Sequence, residues 1–188
     1  MRSSRVFSTV GFVVCSGLLL AGIGAARAPE EPTSETAAEL LPNGRAPLPR
    51  VVTGGQPSPE QLAGLAAAGF RTVVNLRADG EPSPVGEPEA AVEGLGMRYV
   101  HIPVAGAEAL DRENARALSE VLADEAAYPV AVYCGSGNRV GALLALEAAW
   151  IEGAAPEAAL ELGLDAGLTR LEPQVRELLG LPPAAPPE

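Results

Sequence analysis

A cysteine and an arginine enclose a short glycine-rich stretch in the second half of the chain, Cys134-Gly-Ser-Gly-Asn-Arg139. Apolar residues precede the cysteine and follow the arginine, which predicts a strand, a loop and then a helix. In that order the loop N–H groups, the helix N-terminus and the guanidinium all face one anion. The same positive surroundings favour the thiolate form of Cys134 over the thiol. We therefore interpret the stretch as an oxyanion-binding loop that carries a nucleophile.

The positions after the cysteine have separate expected roles. Gly135 and Gly137 permit backbone angles that turn successive amides inward, so that the amides of Gly135, Ser136, Gly137 and Asn138 bind the anion. Arg139 then holds two oxygens of that anion with its planar fork. The stretch lacks the Lys-Ser/Thr ending of a nucleotide P-loop and the spacing of a dinucleotide fingerprint. No second cysteine lies nearby, so covalent catalysis by one thiolate is the chemistry that we predict.

Length and charge restrict the class of protein. With 188 residues and 47% hydrophobic content, the chain can bury one ordinary core but not two sizeable domains. The formal net charge is −11 with no basic cluster, which repels phosphate backbones and anionic lipids, so we expect no nucleic-acid partner. The only histidine, His101, lies in a predicted strand without a carboxylate cluster. We therefore expect neither a metal site nor a cofactor.

The N-terminus has the pattern of a secretory signal. Arg2 and Arg5 precede an uncharged stretch from Val6 to Ala26, which ends in an Ala26-Arg27-Ala28 site. We expect residues 1–28 to be a signal peptide and the protein to be exported to the periplasm or the medium. Because roughly 20 apolar residues span a bilayer, an uncleaved anchor formed by residues 6–26 is the alternative, and the only membrane contact that we expect. Cleavage would remove Cys15 and leave Cys134 unpaired.

The rest of the chain must position the loop. Residues 29–48 are rich in Pro, Glu, Ala and Thr, which predicts a flexible linker, and residues 181–188 a disordered tail. Between them, residues 49–180 alternate β-branched runs with amphipathic segments, which predicts an α/β domain whose mostly parallel sheet has about four to five strands flanked by helices. Ligands of such sheets lie beyond the carboxyl ends of the strands, where Cys134 is placed.

Four motifs in this order resemble a known family. They are Gly54-Gly-Gln-Pro-Ser58, Gly69-Phe-Arg-Thr-Val-Val-Asn-Leu-Arg77 with Gly80-Glu81, Tyr99-Val-His-Ile-Pro-Val104, and Cys134-Gly-Ser-Gly-Asn-Arg139. Over residues 52–146 the chain resembles the beta-lactamase-hydrolase-like phosphatase domains, a bacterial branch of the dual-specificity and tyrosine phosphatase superfamily. The resemblance implies a cysteine-phosphatase fold.

The resemblance also implies a mechanism and a substrate class. Cys134 would attack a phosphoryl group held by the loop amides and Arg139, and water would then hydrolyse the phosphocysteine. The substrate would be a phosphorylated small molecule or a phosphopeptide. Three features depart from tyrosine phosphatases: the loop is one residue shorter, Tyr133 replaces a histidine, and Val140 replaces a Ser or Thr.

A phosphatase also benefits from a carboxylic acid that protonates the leaving oxygen. The resemblance places this acid after the strand that ends in Pro103-Val104, but Ala105-Gly-Ala107 follows there. The nearest carboxylates are Glu108 and Asp111, of which Asp111 also fits a helix N-cap. Asp79, in an Asp-Gly turn after the preceding strand, is a further candidate.

Two other functions fit the same residues. The four-residue spacing between Cys134 and Arg139 is also that of rhodanese-like sulfurtransferases, in which the cysteine would carry a persulfide. The absence of an evident acid, together with Val140, also fits a non-catalytic module that binds phosphate or another anion. Hydrolysis of a phosphate monoester is the function that we predict first.

Overall fold

The computed structural model describes residues 34–184 of the chain. The signal peptide or anchor predicted over residues 1–28 therefore lies outside the described residues. Among those that are described, none of the helices has both the length and the apolar character that a membrane crossing requires.

A five-stranded sheet forms the centre of the fold, in the order β1-β2-β5-β3-β4. The strands are β1 (Arg45–Leu48), β2 (Val51–Gly54), β3 (Thr72–Asn75), β4 (Arg98–His101) and β5 (Val130–Tyr133). Only β1 is antiparallel to its neighbour, and the other pairs are parallel. The predicted α/β fold with a mostly parallel sheet is thus confirmed.

The register of the strands decides which loops meet. Tyr133, the last residue of β5, pairs with Gly54 of β2 on one side and with Asn75 of β3 on the other. Asn75 in turn pairs with His101, the last residue of β4. Because these four parallel strands end level with one another, the segments that follow them meet at a single edge of the sheet.

Helices cover both faces of this sheet. They are α1 (Ser34–Ala38), α2 (Pro59–Ala67), α3 (Pro88–Glu93), α4 (Arg112–Leu122), α5 (Asn138–Trp150), α6 (Pro156–Asp165) and α7 (Glu172–Leu178). Val74 and Val132 face the core that α4 to α7 cover, whereas Val73 and Ala131 face the core under α1 to α3. The sheet is therefore a middle layer, with one apolar core on each side.

Local sequence signals explain where α2 begins and ends. The backbone N of Ser58 donates to Gln61 Oε1 at 2.9 Å, and the backbone N of Gln61 donates back to Ser58 Oγ at 3.2 Å. This reciprocal pair is the predicted capping box, and Pro59 occupies the first helical position. Gly69 adopts a φ of +83° just after the helix, a conformation that glycine adopts without strain.

The prediction of a flexible linker over residues 29–48 is wrong from Ser34 onward. This segment contains α1 and β1, and Ala37 and Leu41 are buried in the core beside α2. The backbone N of Gly55 donates to Pro42 O at 2.6 Å, which ties the segment to the end of β2. The Pro-rich composition of this segment does not indicate α1 and β1, because these elements depend on contacts with the sheet rather than on local propensity.

The C-terminal segment is also held where it begins. Leu181 N donates to Arg176 O at 2.8 Å, and Arg176 Nη1 donates to Pro182 O at 3.2 Å. The first two residues of the predicted disordered tail thus bind α7, and residues 185–188 lie outside the described residues.

Helix α5 packs against its neighbour with almost no space between the backbones. A Cβ atom added to Gly141 would overlap Leu168 N and Gly163 O. Gly163 lies in α6, and Leu168 lies in the turn that follows it. The catalytic-loop candidate therefore leads into a helix whose position is fixed by direct backbone contact.

Candidate active site

Cys134 lies directly after β5, at the edge where the parallel strands end. Its backbone N donates to Gly54 O at 3.2 Å, and its side chain is a free thiol with the residue only 1% exposed. The backbone N of Gly137 donates to Cys134 Sγ at 3.1 Å. Gly135 and Ser136 are exposed, so the loop opens to solvent on that side. The sulfur is thus buried beneath a loop whose outer residues a ligand can reach.

Glycine shapes the turn from the loop into α5. Gly137 has a φ of +98°, in the left-handed region, and it caps the N-terminus of α5. Gly55, after β2, forms an isolated antiparallel bridge with Ser136. The segment after β2 therefore holds the middle of the loop in place.

The Asn138 side chain contacts the turn after α6. Its Oδ1 accepts hydrogen bonds from Thr169 N at 2.8 Å, Thr169 Oγ1 at 3.0 Å and Leu171 N at 3.2 Å. The residue is 8% exposed, and these contacts bind the loop to the turn between α6 and α7. The side-chain oxygen of Asn138 therefore supports the loop, and anion binding by its backbone N–H stays a prediction.

Arg139, in the first turn of α5, is held by a carboxylate across the site. Its Nη1 donates to Glu81 Oε1 at 2.5 Å and to Val104 O at 2.9 Å, and its Nη2 donates to Glu81 Oε2 at 3.0 Å. A guanidinium has five N–H donors, so Nε–H and one Nη2–H are not used by these three bonds. A Cβ atom on Gly135 would lie 3.4 Å from Nη2, which places this part of the side chain against the loop.

The charges of this pair stabilise each other. The paired guanidinium of Arg139 lowers the pKa of Glu81 to about 2, although partial burial opposes the shift. The Glu81 carboxylate raises the pKa of Arg139, and the nearby Cys134 sulfur acts in the same direction. Both partners are therefore ionised at neutral pH, and Arg139 presents the Nη2 side of a permanently charged guanidinium to the loop.

A second arginine contacts the same carboxylate. Arg77 Nε donates to Glu81 Oε2 at 3.1 Å, and Arg77 Nη1 donates to Gln56 Oε1 at 2.6 Å. The backbone N of Ala78 donates to Glu81 Oε1 at 2.7 Å. Glu81 thus accepts hydrogen bonds from two arginines and one backbone amide.

Sequence reasoning alone misses Glu81 and Arg77 as site residues, although both belong to the second of the four motifs. Glu81 is 58 positions from Arg139 in the chain. The available signal is topological, since a carboxylate in the loop after a neighbouring parallel strand emerges at the same sheet edge as Cys134.

The three candidate acids occupy different environments. Asp111 Oδ1 accepts a hydrogen bond from Asn114 N at 2.9 Å, so this carboxylate caps α4. Asp79 is an exposed side chain whose Oδ1 lies 3.7 Å from His101 Nδ1. Glu108 is exposed in a 3-10 turn after Val104, and its Oε2 would lie 2.7 Å from a Cβ on Gly106. None of these environments identifies the acid, so Asp111, Glu108 and Asp79 all stay candidates.

The remaining residues discussed from the sequence lie around the site rather than in it. Tyr133 and Val140 are buried in the two cores. His101 is at the exposed end of β4, where its Nε2 donates to Arg77 O at 2.7 Å. In the part of the chain that the structure describes, no group of His, Cys, Asp and Glu side chains could hold a metal ion.

A family model described as a DSP-PTPase phosphatase fused to NAD+ kinase matches residues 39–163, which is more than half of the chain. The chain belongs to this DSP-PTPase family. The match extends from before β1 into α6, so it includes the loop from Cys134 to Arg139 and the Glu81 segment.

Curated relatives of this DSP-PTPase domain match over a shorter region. A beta-lactamase hydrolase-like protein of Agrobacterium fabrum is 35% identical over 100 residues, which is 52% of this chain and 23% of that protein. A protein of the same name from Xylella fastidiosa is 32% identical over 100 residues, with the same coverage. The chain spans about a quarter of the length of these relatives.

Solved structures share the fold. A candidate phosphatase (DUF442) from Shewanella putrefaciens superposes with a TM-score of 0.61 at 22% identity, covering 77% of this chain and 93% of that one. The PP-IP phosphatase SIW14 from S. cerevisiae gives a TM-score of 0.54 at 17% identity, covering 74% of this chain and 86% of that one. This DSP-PTPase domain therefore has the fold of dual-specificity and tyrosine phosphatases.

Proposed function

We propose that this DSP-PTPase domain is a cysteine-dependent phosphatase that hydrolyses a phosphate monoester through a phosphocysteine intermediate. One observation carries the proposal: the Gly137 amide donates to Cys134 Sγ at 3.1 Å, and Arg139 Nη2 lies against the same loop. A nucleophile and a fork for oxyanions are thereby combined in one small site. Membership of a phosphatase family supports the same reaction.

In the first step, the Cys134 thiolate attacks the phosphorus atom. The S–P bond forms while the ester P–O bond breaks, and the leaving alkoxide takes a proton from a carboxylic acid. The non-bridging oxygens accept hydrogen bonds from the loop amides and from Arg139 Nε–H and Nη2–H. Because these donors are fixed before the reaction, they stabilise the transferring group without reorganisation.

In the second step, a water molecule attacks the phosphocysteine. The new O–P bond forms, the S–P bond breaks, and the thiolate is restored as inorganic phosphate leaves. The proton of the water passes to the carboxylate that acted as the acid in the first step, so the enzyme returns to its starting state.

We assign the proton donor to Glu108. The Asp111 carboxylate caps α4, and Asp79 lies beside His101 at the end of β4. Glu108 instead lies on the segment that begins at Val104, whose carbonyl accepts a hydrogen bond from Arg139. Its exposed carboxylate can therefore approach a leaving group from the rim of the site.

Hydrolysis of an aryl phosphate by the purified protein tests this function. Wild-type protein should release phosphate and be inhibited by vanadate, and Cys134→Ser should abolish turnover while leaving the melting temperature near that of the wild type. Thiosulfate with cyanide serves as a parallel substrate pair, since a sulfurtransferase would gain a persulfide on Cys134 and form thiocyanate. Thiocyanate formation without phosphate release would contradict the proposal and indicate a sulfurtransferase. Tight vanadate binding without either activity would indicate an anion-binding module.

The proposal includes export and a phosphorylated small molecule or phosphopeptide as substrate. The uncharged stretch over residues 6–26 supports export. Expression of the full sequence in a bacterial host, followed by fractionation and intact-mass measurement, distinguishes a cleaved exported protein from a membrane-anchored one. A cytoplasmic product of full mass would contradict export.

A further inference from the structure

Arg77 is a largely buried cation that the mechanism above does not use. Its side chain is 11% exposed, and it contacts Glu81 through Nε and Gln56 through Nη1. We propose that Arg77 is a positioning residue, which holds Glu81, and through it Arg139, in the orientation that binds the phosphoryl oxygens. This inference rests on the proposed function of the same site.

Glu81 requires such a holder because it is not part of a regular element. It lies between β3 and α3, and 29% of its side chain is exposed. Its Oε1 accepts from Ala78 N and Arg139 Nη1, whereas its Oε2 accepts from Arg139 Nη2 and Arg77 Nε. Without Arg77, the only remaining partner of Oε2 would be Arg139, so Ala78 N alone would hold the Glu81 carboxylate against the rest of its loop.

Arg77 itself is fixed by the ends of the parallel strands. Its backbone N donates to Asn75 Oδ1 at 2.9 Å, and its carbonyl accepts from His101 Nε2 at 2.7 Å. Asn75 is 5% exposed, and its Nδ2 donates to Tyr99 OH at 2.9 Å. Contacts at the ends of β3 and β4 therefore locate Arg77, and Arg77 transmits that location to a side chain of α5.

This role depends on the planar shape of the Arg77 guanidinium rather than on its positive charge alone. Arg77 bonds Glu81 and Gln56 with two different nitrogens of one rigid plane, and the two acceptors lie after different strands. A lysine would keep the positive charge, but its ammonium group is a single point at the end of a flexible stem. Arg77→Lys consequently separates positioning from a general electrostatic effect.

The test compares Arg77→Lys and Arg77→Gln with a matched surface pair. Arg176 Nε donates to Glu172 Oε1 at 2.7 Å, with the same i,i+4 spacing and with side chains 21% and 25% exposed, so Arg176→Gln is the control. We expect both Arg77 variants to lower kcat for an aryl phosphate by about 10- to 100-fold, with KM within about threefold, because small displacements of a positioned group have effects of this size. Vanadate, which resembles the transition state, should lose more affinity than phosphate.

A double variant tests whether Arg77 acts through Glu81. If it does, Arg77→Lys combined with Glu81→Gln should be within about twofold of Glu81→Gln alone, since coupled residues are not additive. Multiplication of the two single effects would overturn the proposal. Retention of wild-type kcat by Arg77→Lys, or an equal loss in Arg176→Gln, would overturn it as well.

The failure of this inference can be distinguished from the failure of the proposed function. If the wild-type protein turns over no phosphate, tungstate affinity measured by calorimetry replaces kcat, and Arg77→Lys should weaken it about 10-fold or more because the Arg139 fork is misplaced. Unchanged tungstate affinity, or no oxyanion binding by the wild type, would overturn the role of Arg77.

Discussion

Substitution of Glu81 by Gln tests whether activity requires the ion pair that holds the Arg139 side chain in place. Glutamine has almost the same shape, but it presents one acceptor oxygen and one NH2 group. At most one of the two bonds to Arg139 can survive, and the NH2 group would face a donor of Arg77 or Arg139. The substitution therefore removes the paired geometry while keeping the packing.

The size of the effect follows from the ionisation of Glu81. A pKa lowered from 4.5 to about 2 corresponds to about 3 kcal/mol of preference for the charged form. Because 29% of the side chain is exposed to screening solvent, we expect a loss of about 2 kcal/mol in the free energy of unfolding. Loss of a fixed donor to the transferring group costs roughly 10²- to 10³-fold in rate, so kcat/KM should fall by about 10²-fold.

The assay is steady-state hydrolysis of an aryl phosphate together with urea unfolding. Glu172→Gln is the matched control, since Glu172 pairs with Arg176 at a similar exposure but lies in α7. Its free energy of unfolding should change by less than about 1 kcal/mol, as is usual for surface ion pairs, and its kcat/KM should not change. A Glu81→Gln protein with kcat/KM within twofold of the wild type would refute the reasoning.

Three further outcomes follow from other contacts. Since the folded-state pKa of Glu81 is depressed, the stabilising effect of its charge is complete above pH 4.5 and is lost toward pH 2. In urea titrations, the difference in free energy of unfolding between wild type and Glu81→Gln should therefore be constant from pH 7 to 5 and shrink below pH 5. Glu108→Gln should slow hydrolysis of an alkyl phosphate by about 10²-fold but that of a nitrophenyl phosphate much less, because a good leaving group needs no proton. Equal effects on both esters would contradict the role of Glu108 as the acid. A larger alkyl-specific effect in Asp111→Asn would assign the acid to Asp111. Asn138→Ala should cost about 2–3 kcal/mol in denaturant unfolding, because it leaves the donors of Thr169 and Leu171 unsatisfied, and a loss below 0.5 kcal/mol would contradict this.

Local patterns in the sequence are sufficient to predict much of the fold. The capping box at Ser58, the β-branched run before Asn75 and the apolar run before Cys134 each act within a few residues, and the structure has elements at all three places. The parallel sheet then follows from the alternation of strands and helices. This is why the position of Cys134 at a strand end could be predicted.

Features that depend on distant partners could not be predicted in this way. The segment around Leu41 forms short elements only because it packs against the sheet, and its composition resembles that of a linker. The bond between Glu81 and Arg139 and the bonds between Asn138 and Thr169 join residues far apart in the chain. No local pattern encodes such pairs, so the sequence indicates the loop but not the groups that support it.

The close approach at Gly141 has a consequence for the interpretation of mutational scans of this protein. Any side chain at this position would collide with Leu168 N and Gly163 O, so every substitution should reduce the amount of folded protein. Cys134 should behave in the opposite way, since small replacements such as serine fit its site and remove only the reaction. Intolerance to substitution alone would rank both residues as equally important. A scan that records abundance and activity separately should show a loss of abundance for variants of Gly141, and a loss of activity at normal abundance for small replacements of Cys134.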